Sequence, residues 1–171
     1  MKLIISKLIF FFLLIGFSEA NENIRFVDVN FIVNNSIIGK SLNKIIDSKN
    51  KKITSELNNL KADLDKKKEK IVSQKNVLKD DEYKKLVKNY ENEVKKFNEI
   101  RKKKTKDFNL FRINSKKKIL DVLNPLMAKF LENKSISILL QKDNILFGNK
   151  ELDITNEILK TLDEKHKTMK F

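Results

Sequence analysis

The pattern of apolar positions along the chain predicts two long helices that fold back on each other. Across residues 40–118, apolar residues recur every three or four positions in a background dominated by lysine, which is the spacing of an amphipathic helix. The stripe is narrow, as in the seam of a coiled coil. The period restarts after residues 79–82, where Asp80, Asp81 and Glu82 suit a helix N-terminus. We therefore predict an antiparallel helical hairpin, the arm, over residues 40–118, with its turn near residues 79–82.

Within the arm, the first helix is predicted over residues 41–78, with Ser41 as its cap, and the second over residues 83–130. Charged or polar residues interrupt the apolar seam, namely Lys67, Gln74, Arg101, Lys104 and Ser115. A seam interrupted in this way pairs loosely, so we expect flexing near Gln74 and residues 101–104. Pro125 lacks a backbone N–H, and we expect it to kink the second helix.

The segments on either side of the arm predict a small body. Residues 24–29 alternate and are rich in β-branched side chains, which predicts a strand. A short helix capped by Asn30 should follow it. Residues 136–140 predict another strand, with a tight turn at residues 142–144 and a hairpin partner over residues 145–147.

The chain is predicted to end in a short helix and a loose tail. Asp153-Ile154-Thr155 opens the helix, with Asp153 or Thr155 as its cap. The lysine-rich residues 165–171 are expected to fray.

Together these elements predict an α+β fold that is mostly α, in which the arm projects from a small β body. The body should be built from residues 21–39, a strand and short helix, and residues 119–171, a helix end, the β-hairpin and the last helix. The apolar residues expected to form the core of the body, or its contacts with other copies, are Phe26, Val27, Val29, Ile136, Ile138, Leu140, Ile145, Phe147, Ile154 and Ile158.

Residues 1–20 are predicted to be a cleaved secretory signal peptide. Lys2 and Lys7 give a basic start, an apolar run follows, and Ser18-Glu19-Ala20 supplies the small residues of a cleavage site after Ala20. The run is shorter than the about 20 apolar residues that a membrane-spanning helix needs, so an uncleaved anchor is disfavoured. We expect the mature protein outside the cytoplasm, in the periplasm, and the absence of cysteine suits that oxidising compartment.

The positive charge of the chain lies on the arm. Residues 40–118 contain 26 Lys and Arg against 12 Asp and Glu, a net charge of +14. Such a field raises association rates with acidic partners. Nucleic acid, the usual partner of a basic protein, is disfavoured for an exported one.

A family resemblance is carried by the two ends of the chain. The residues are Ile24-Arg25-Phe26-Val27-Asp28-Val29-Asn30, the entry Gly39-Lys40, Leu123-Asn124-Pro125-Leu126, the predicted hairpin Ile136 to Phe147, and Leu152-Asp153-Ile154-Thr155-Asn156-Glu157-Ile158-Leu159. With the order strand, helical hairpin, β-hairpin and short helix, the chain resembles the Skp (OmpH-like) periplasmic chaperones. The resemblance implies a homotrimer with a shared β-barrel, whose three arms enclose a cavity that holds unfolded outer-membrane proteins without ATP.

Physical reasoning independently favours oligomerisation, although not the number of copies. Three short strands bury too little surface to be stable alone. Without disulfides or a metal, association of several copies is the remaining source of stability.

No enzymatic site is predicted, and no cofactor. Gly39-Lys40-Ser41 matches the end of a P-loop, but Asn34 stands where that motif needs glycine. His166 is the only histidine, which disfavours a histidine-based dyad or metal site.

Exposed apolar residues on the arm are the predicted contacts for an unfolded client. These are Val77 and Leu78 at the tip, with Leu110 and Ile113 off the best seam. Two alternatives stay open at this point. One is an exported coiled-coil scaffold or adaptor, and the other is a peripheral binder of anionic lipid head groups or lipopolysaccharide.

Overall fold

The computed structural model describes residues 23–171, and the predicted signal peptide lies outside them. The elements in chain order are strand β1 (Ile24–Val27), helix α1 (Val29–Asn35), helix α2 (Ile37–Ser73), helix α3 (Asp80–Asn133), strand β2 (Ile138–Gln141) and helix α4 (Thr155–Lys165). Single turns of 3-10 helix lie at Lys142–Asn144 and Lys150–Leu152. The predicted α+β, mostly α fold is confirmed. Within residues 23–171, no helix is long and apolar enough to cross a membrane.

Helices α2 and α3 form the arm, and their link lies earlier than predicted. Helix α2 ends at Ser73 because the N–H groups of Gln74 and Lys75 bond to carbonyls three residues back, which tightens the backbone out of the α-helix. The turn therefore occupies residues 74–79 rather than 79–82. The three acidic residues predicted at the start of the second helix do lie in the first turn of α3.

The core lies in the body, and the arm has none of its own. Residues 43–114, all described, include no buried residue, and burial resumes at Ser115. The most deeply buried apolar side chains come from α1, the start of α2, the end of α3 and α4: Ile32, Ile38, Leu42, Ile119, Leu123, Ile158 and Leu162. The two long helices are thus anchored together at one end and contact each other along a half-exposed seam.

The entry to α2 begins five residues before the predicted Ser41 cap. Ser36 is the cap, and its hydroxyl accepts a hydrogen bond from the N–H of Gly39 at 3.1 Å. A Cβ at Gly39 would lie 1.9 Å from the carbonyl oxygen of Val33. The cluster Asn34-Asn35-Ser36, which predicts a chain break, therefore supplies the cap itself.

Strands β1 and β2 form a parallel two-stranded sheet, in which Ile24 pairs with Ile138 and Val27 with Gln141. A parallel pair needs a long crossover connection, and the arm is that crossover. The predicted β-hairpin is wrong, because residues 142–144 form a 3-10 turn and residues 145–147 form no strand.

The start of α1 also differs from the prediction. Strand β1 ends at Val27, and Val29 belongs to the helix. Asp28, rather than Asn30, is the cap, because its carboxylate accepts a hydrogen bond from the N–H of Phe31 at 2.7 Å.

The Asp153-Ile154-Thr155 segment joins α4 to β1. The N–H of Ile154 donates to the carbonyl of Phe26 at 3.0 Å, and the hydroxyl of Thr155 accepts from the N–H of Asp28 at 2.8 Å. The Asp153 carboxylate accepts from the N–H of Thr155 at 2.9 Å. The two side-chain bonds explain Asp153 and Thr155 in a segment that also carries the family resemblance.

We expect Thr155→Val to lower the free energy of unfolding by about 1 kcal/mol or more, because it leaves the partly buried N–H of Asp28 without its partner. Valine keeps the shape of threonine, so packing changes little. Chemical denaturation measures the effect, and Thr168→Val, at an exposed position, is the control. Equal stabilities of the two variants would contradict this role.

The C-terminal tail is not frayed as predicted. Met169 and Phe171 pack against the core of the body, and the ammonium group of Lys118 donates to the carbonyl of Lys170 at 3.2 Å. The lysines of the tail remain exposed while its two apolar residues turn inward, a pattern too short to be recognised as an element.

Candidate functional site

The two helices of the arm leave an open groove along one side of their seam. We call it the arm groove. It contains three compartments of about 360, 230 and 410 Å³, in order from the body to the tip. Their apolar linings are Ile53, Phe108 and Phe111 in the first, Leu60, Leu64, Phe97 and Ile100 in the second, and Ile71, Leu86 and Tyr90 in the third. Seam aromatics therefore line open spaces instead of filling a core.

Two ion pairs cross from α2 to α3 along the groove. Lys104 pairs with Glu56 beside the first compartment, and Lys67 pairs with Glu93 at 2.7 Å between the second and third. The hydrogen bond and the charge of Lys104 hold the pKa of Glu56 below its usual value. Two lysines that interrupt the predicted seam thus have acidic partners on the opposite helix. The flexing expected at these levels stays a prediction.

Cations also lie over the seam aromatics. The ammonium group of Lys49 is 4.7 Å from the centre of the Phe111 ring, and the guanidinium groups of Arg101 and Arg112 are each 5.9 Å from the ring of a phenylalanine in α3. Such contacts leave the lysine and arginine heads in water while their stems cover apolar surface. The groove is consequently apolar at its floor and charged at its rim.

The four predicted client contacts lie at two separate places. Val77 and Leu78 lie in the link at the tip, where Val77 is 80% exposed and Leu78 is half-buried. Leu110 and Ile113 are exposed three residues apart on α3, about 45 Å along the helix from its start. The structure does not bring the two pairs together. Sequence reasoning missed Val72, which is 62% exposed near the tip, and the groove itself.

The predicted body residues divide between the interior and the surface. Phe26, Val27, Ile136, Ile154 and Ile158 are buried, and Val29 and Ile145 are half-buried. The others, Ile138, Leu140 and Phe147, are exposed, and Leu146 joins them. These last four form what we call the sheet-edge patch.

The sheet-edge patch includes the two most exposed large apolar side chains of the body, Leu146 and Phe147. Ile138 and Leu140 alternate on β2 and each is 43% exposed, while Leu146 and Phe147 are 93% and 96% exposed. β2 pairs with β1 along one side only, so its other side is an open edge within the described chain. Exposed apolar surface beside an open strand edge is typical of a protein interaction site.

Comparison with known families decides the relationship. The sequence matches the family described as "Outer membrane protein (OmpH-like)" over residues 23–162. The chain belongs to the OmpH-like family. Among solved structures, the OmpH-like chain is similar to that of an OmpH-like candidate outer membrane chaperone from Caulobacter crescentus CB15, with a TM-score of 0.79 and 17% identity over 89% of this chain and 90% of the other. A comparison with curated proteins gives no match.

The OmpH-like match confirms the resemblance drawn from the two ends of the chain. It covers the arm as well as the body, so the helical arm belongs to the shared architecture. Among residues 23–171 of this OmpH-like chain, no three His, Cys, Asp or Glu residues lie close enough together to hold a metal ion.

We expect the Lys142–Asp153 pair to make the stability of this OmpH-like body depend on pH. Burial alone raises the pKa of the Asp153 carboxyl, but hydrogen bonds from Lys142 and Thr155 outweigh it and hold that pKa below its usual value. A carboxyl whose pKa is lower in the folded state stabilises the protein above its unfolded pKa, and the contribution is lost as pH falls through the folded pKa.

We therefore expect Asp153→Asn to lower the free energy of unfolding at pH 7 and to flatten its decline below about pH 4. Urea unfolding across that range measures both effects, with Asp47→Asn, at an exposed position of α2, as the control. If Asp153→Asn and the natural chain lose stability in parallel as the pH falls, the ion pair is not the cause.

Proposed function

We propose that this protein is an ATP-independent periplasmic holdase, which binds unfolded outer-membrane proteins between basic helical arms and prevents their aggregation. The observation that carries the proposal is an arm with a net charge of +14 and no buried residue across residues 43–114. A structural coiled coil of this length would close its seam. This one keeps apolar surface available on both helices.

The proposed mechanism depends on many weak contacts. Lysine and arginine attract an acidic client from a distance and raise the rate of encounter. Exposed apolar residues, including the predicted contacts Val77, Leu78, Leu110 and Ile113, then compete with self-association of the client. No single contact is strong, so the client can leave when a better partner is available, and no nucleotide is required.

The proposed working form is a homotrimer. A two-stranded sheet buries too little surface to be stable by itself, and the sheet-edge patch offers both an open strand edge and apolar side chains to another copy. Association through this patch would place the arms side by side around a cavity. The number three follows from the family resemblance.

Periplasmic localisation is part of the proposal. It rests on the features of residues 1–20, whose cleavage after Ala20 would leave the described residues in the mature protein. The expected partners there are unfolded outer-membrane proteins, which the resemblance also implies.

The test is suppression of aggregation of an unfolded outer-membrane β-barrel protein, measured by light scattering at low and high salt. We expect suppression at both, and slower capture at high salt because screening weakens the attraction of the arm for the client. If aggregation is suppressed at neither low nor high salt, the proposal is overturned. Binding to anionic liposomes or lipopolysaccharide that persists while suppression is absent would instead support the lipid-binding alternative, which the basic arm also suits.

A further inference from the structure

We infer that the arm groove is a binding site for an extended segment of the client that contains acidic and apolar residues. The two ion pairs that cross the groove divide it into compartments. The inference rests on the proposed function and locates one of its contact surfaces. From the body to the tip, the three compartments are lined on α2 by residues within 49–56, 60–67 and 67–74. On α3, which runs in the opposite direction, they are lined by residues within 104–111, 93–100 and 86–93. Steps of three, four and seven residues keep all of them on one side of the hairpin.

The length of the groove suits an extended chain. From residue 49 to residue 74 it runs about 38 Å, at 1.5 Å per helical residue. About 11 residues of extended polypeptide cover that distance. Since side chains alternate along such a segment, apolar ones can enter the compartments while the others point to solvent.

The two ion pairs favour an extended occupant over a helix. A helix is about 10–12 Å across, so it would lie on top of the Lys67–Glu93 and Glu56–Lys104 pairs. Its backbone groups are already paired with each other and could not bond to these side chains. An extended segment carries unpaired backbone N–H and C=O groups. The ammonium groups of Lys67 and Lys104 can donate to such carbonyls, and the carboxylates of Glu56 and Glu93 can accept from such N–H groups.

Charge selects a client segment over a second arm. The three linings contain six lysines and four carboxylates, on an arm whose net charge is +14. Two such arms repel each other, whereas a segment with acidic residues between its apolar ones is attracted. The groove is therefore suited to a negatively charged polypeptide rather than to another copy of this chain.

The test uses single cysteines, which are unique because the chain has none of its own. Asn89→Cys lies in the third compartment. Lys88→Cys, the matched control, is exposed one residue away and about 160° around the helix from Tyr90 in the groove. Each full-length variant is labelled with benzophenone maleimide and irradiated with an unfolded outer-membrane β-barrel protein. We expect about fivefold or greater cross-linking to the client from position 89 than from position 88, as close packing occurs only in the groove.

Three results would overturn the inference. Equal cross-linking from both positions would mean that the client does not occupy the groove. Cross-links from position 89 to another copy, formed without client, would assign the groove to self-association. If anionic vesicles protect the cysteine at position 89 from maleimide labelling and no cross-link to the client forms, the groove would be assigned to lipid. Aggregation assays on the natural chain separate these cases from failure of the proposed function, because suppression would persist in all three.

A second variant tests the apolar floor. Phe97→Ala removes the largest side chain of the middle compartment and should weaken client binding about tenfold, while Phe31→Ala, at an exposed position of α1 in the body, should change it little. Circular dichroism checks that the arm remains helical in both variants. Equal client affinity of the two variants would contradict the role of the groove.

Discussion

Replacing Gly39 with alanine should strongly destabilise the body, although alanine is ordinarily the better helix former by about 1 kcal/mol. The added Cβ would lie 1.9 Å from the carbonyl oxygen of Val33 and 2.9 Å from the hydroxyl of Ser36. The first of these atoms is backbone and cannot rotate away, so α1 must separate from α2. We expect a loss of more than about 4 kcal/mol, which is a large part of the about 5–15 kcal/mol that stabilises a typical domain.

Thermal and urea unfolding of Gly39→Ala measure this loss, with Lys44→Ala as the control because it is exposed on the same helix. The control should be neutral or slightly stabilising. A Gly39→Ala variant as stable as the natural chain would show that α1 and α2 do not approach each other as closely as described.

Replacing Ile138 and Leu140 together with glutamate should convert the proposed trimer into monomers. Both side chains are exposed in the single chain, so the substitutions cost the isolated body little. In the proposed assembly they would bury unpaired charges within the sheet-edge patch, at a cost of several kcal/mol per interface. We expect loss of the trimer by light scattering and, since the cavity needs three arms, loss of aggregation suppression.

Val72→Glu is the matched control for this pair, because it also places a charge on an exposed apolar residue, but near the tip of the arm. It should leave the mass of the assembly unchanged. If the double variant remained a trimer, the sheet-edge patch would not be the interface.

The helical part of the fold could be predicted because its signal is repeated many times. A period of three to four residues over residues 40–118 is enough to place two long helices. The ends of these helices depend on local bonds instead. The N–H of Gly39 bonds to Ser36, and the N–H of Gln74 bonds to the carbonyl of Ile71. Neither bond has a periodic signal, which explains why α2 begins and ends about five residues earlier than predicted.

The sheet was harder to predict because it depends on contacts between distant parts of the chain. Residues 136–147 have the alternation of a hairpin, but the partner of β2 is β1, more than a hundred residues earlier. The Phe26 carbonyl bonds to the N–H of Ile154 on the other side of β1. No local pattern contains such information, and the tail residues Met169 and Phe171 were misjudged for the same reason.

The sequence could predict the composition of the binding surfaces, but not where the groove lies on the arm. A basic arm with exposed apolar residues follows from the sequence, and so do Val77 and Ile113 as exposed positions. The groove arises only when the two helices are aligned, since it needs Glu56 opposite Lys104 and Glu93 opposite Lys67. Reading each helix alone makes these lysines look like interruptions of a seam.

The most direct test of the account is the mass of the mature protein in solution, measured by light scattering with and without an unfolded outer-membrane β-barrel protein. We expect three times the mass of one chain without client, and the mass of one trimer plus one client in its presence. A protein that remains monomeric under both conditions would contradict the shared body and the cavity between the arms.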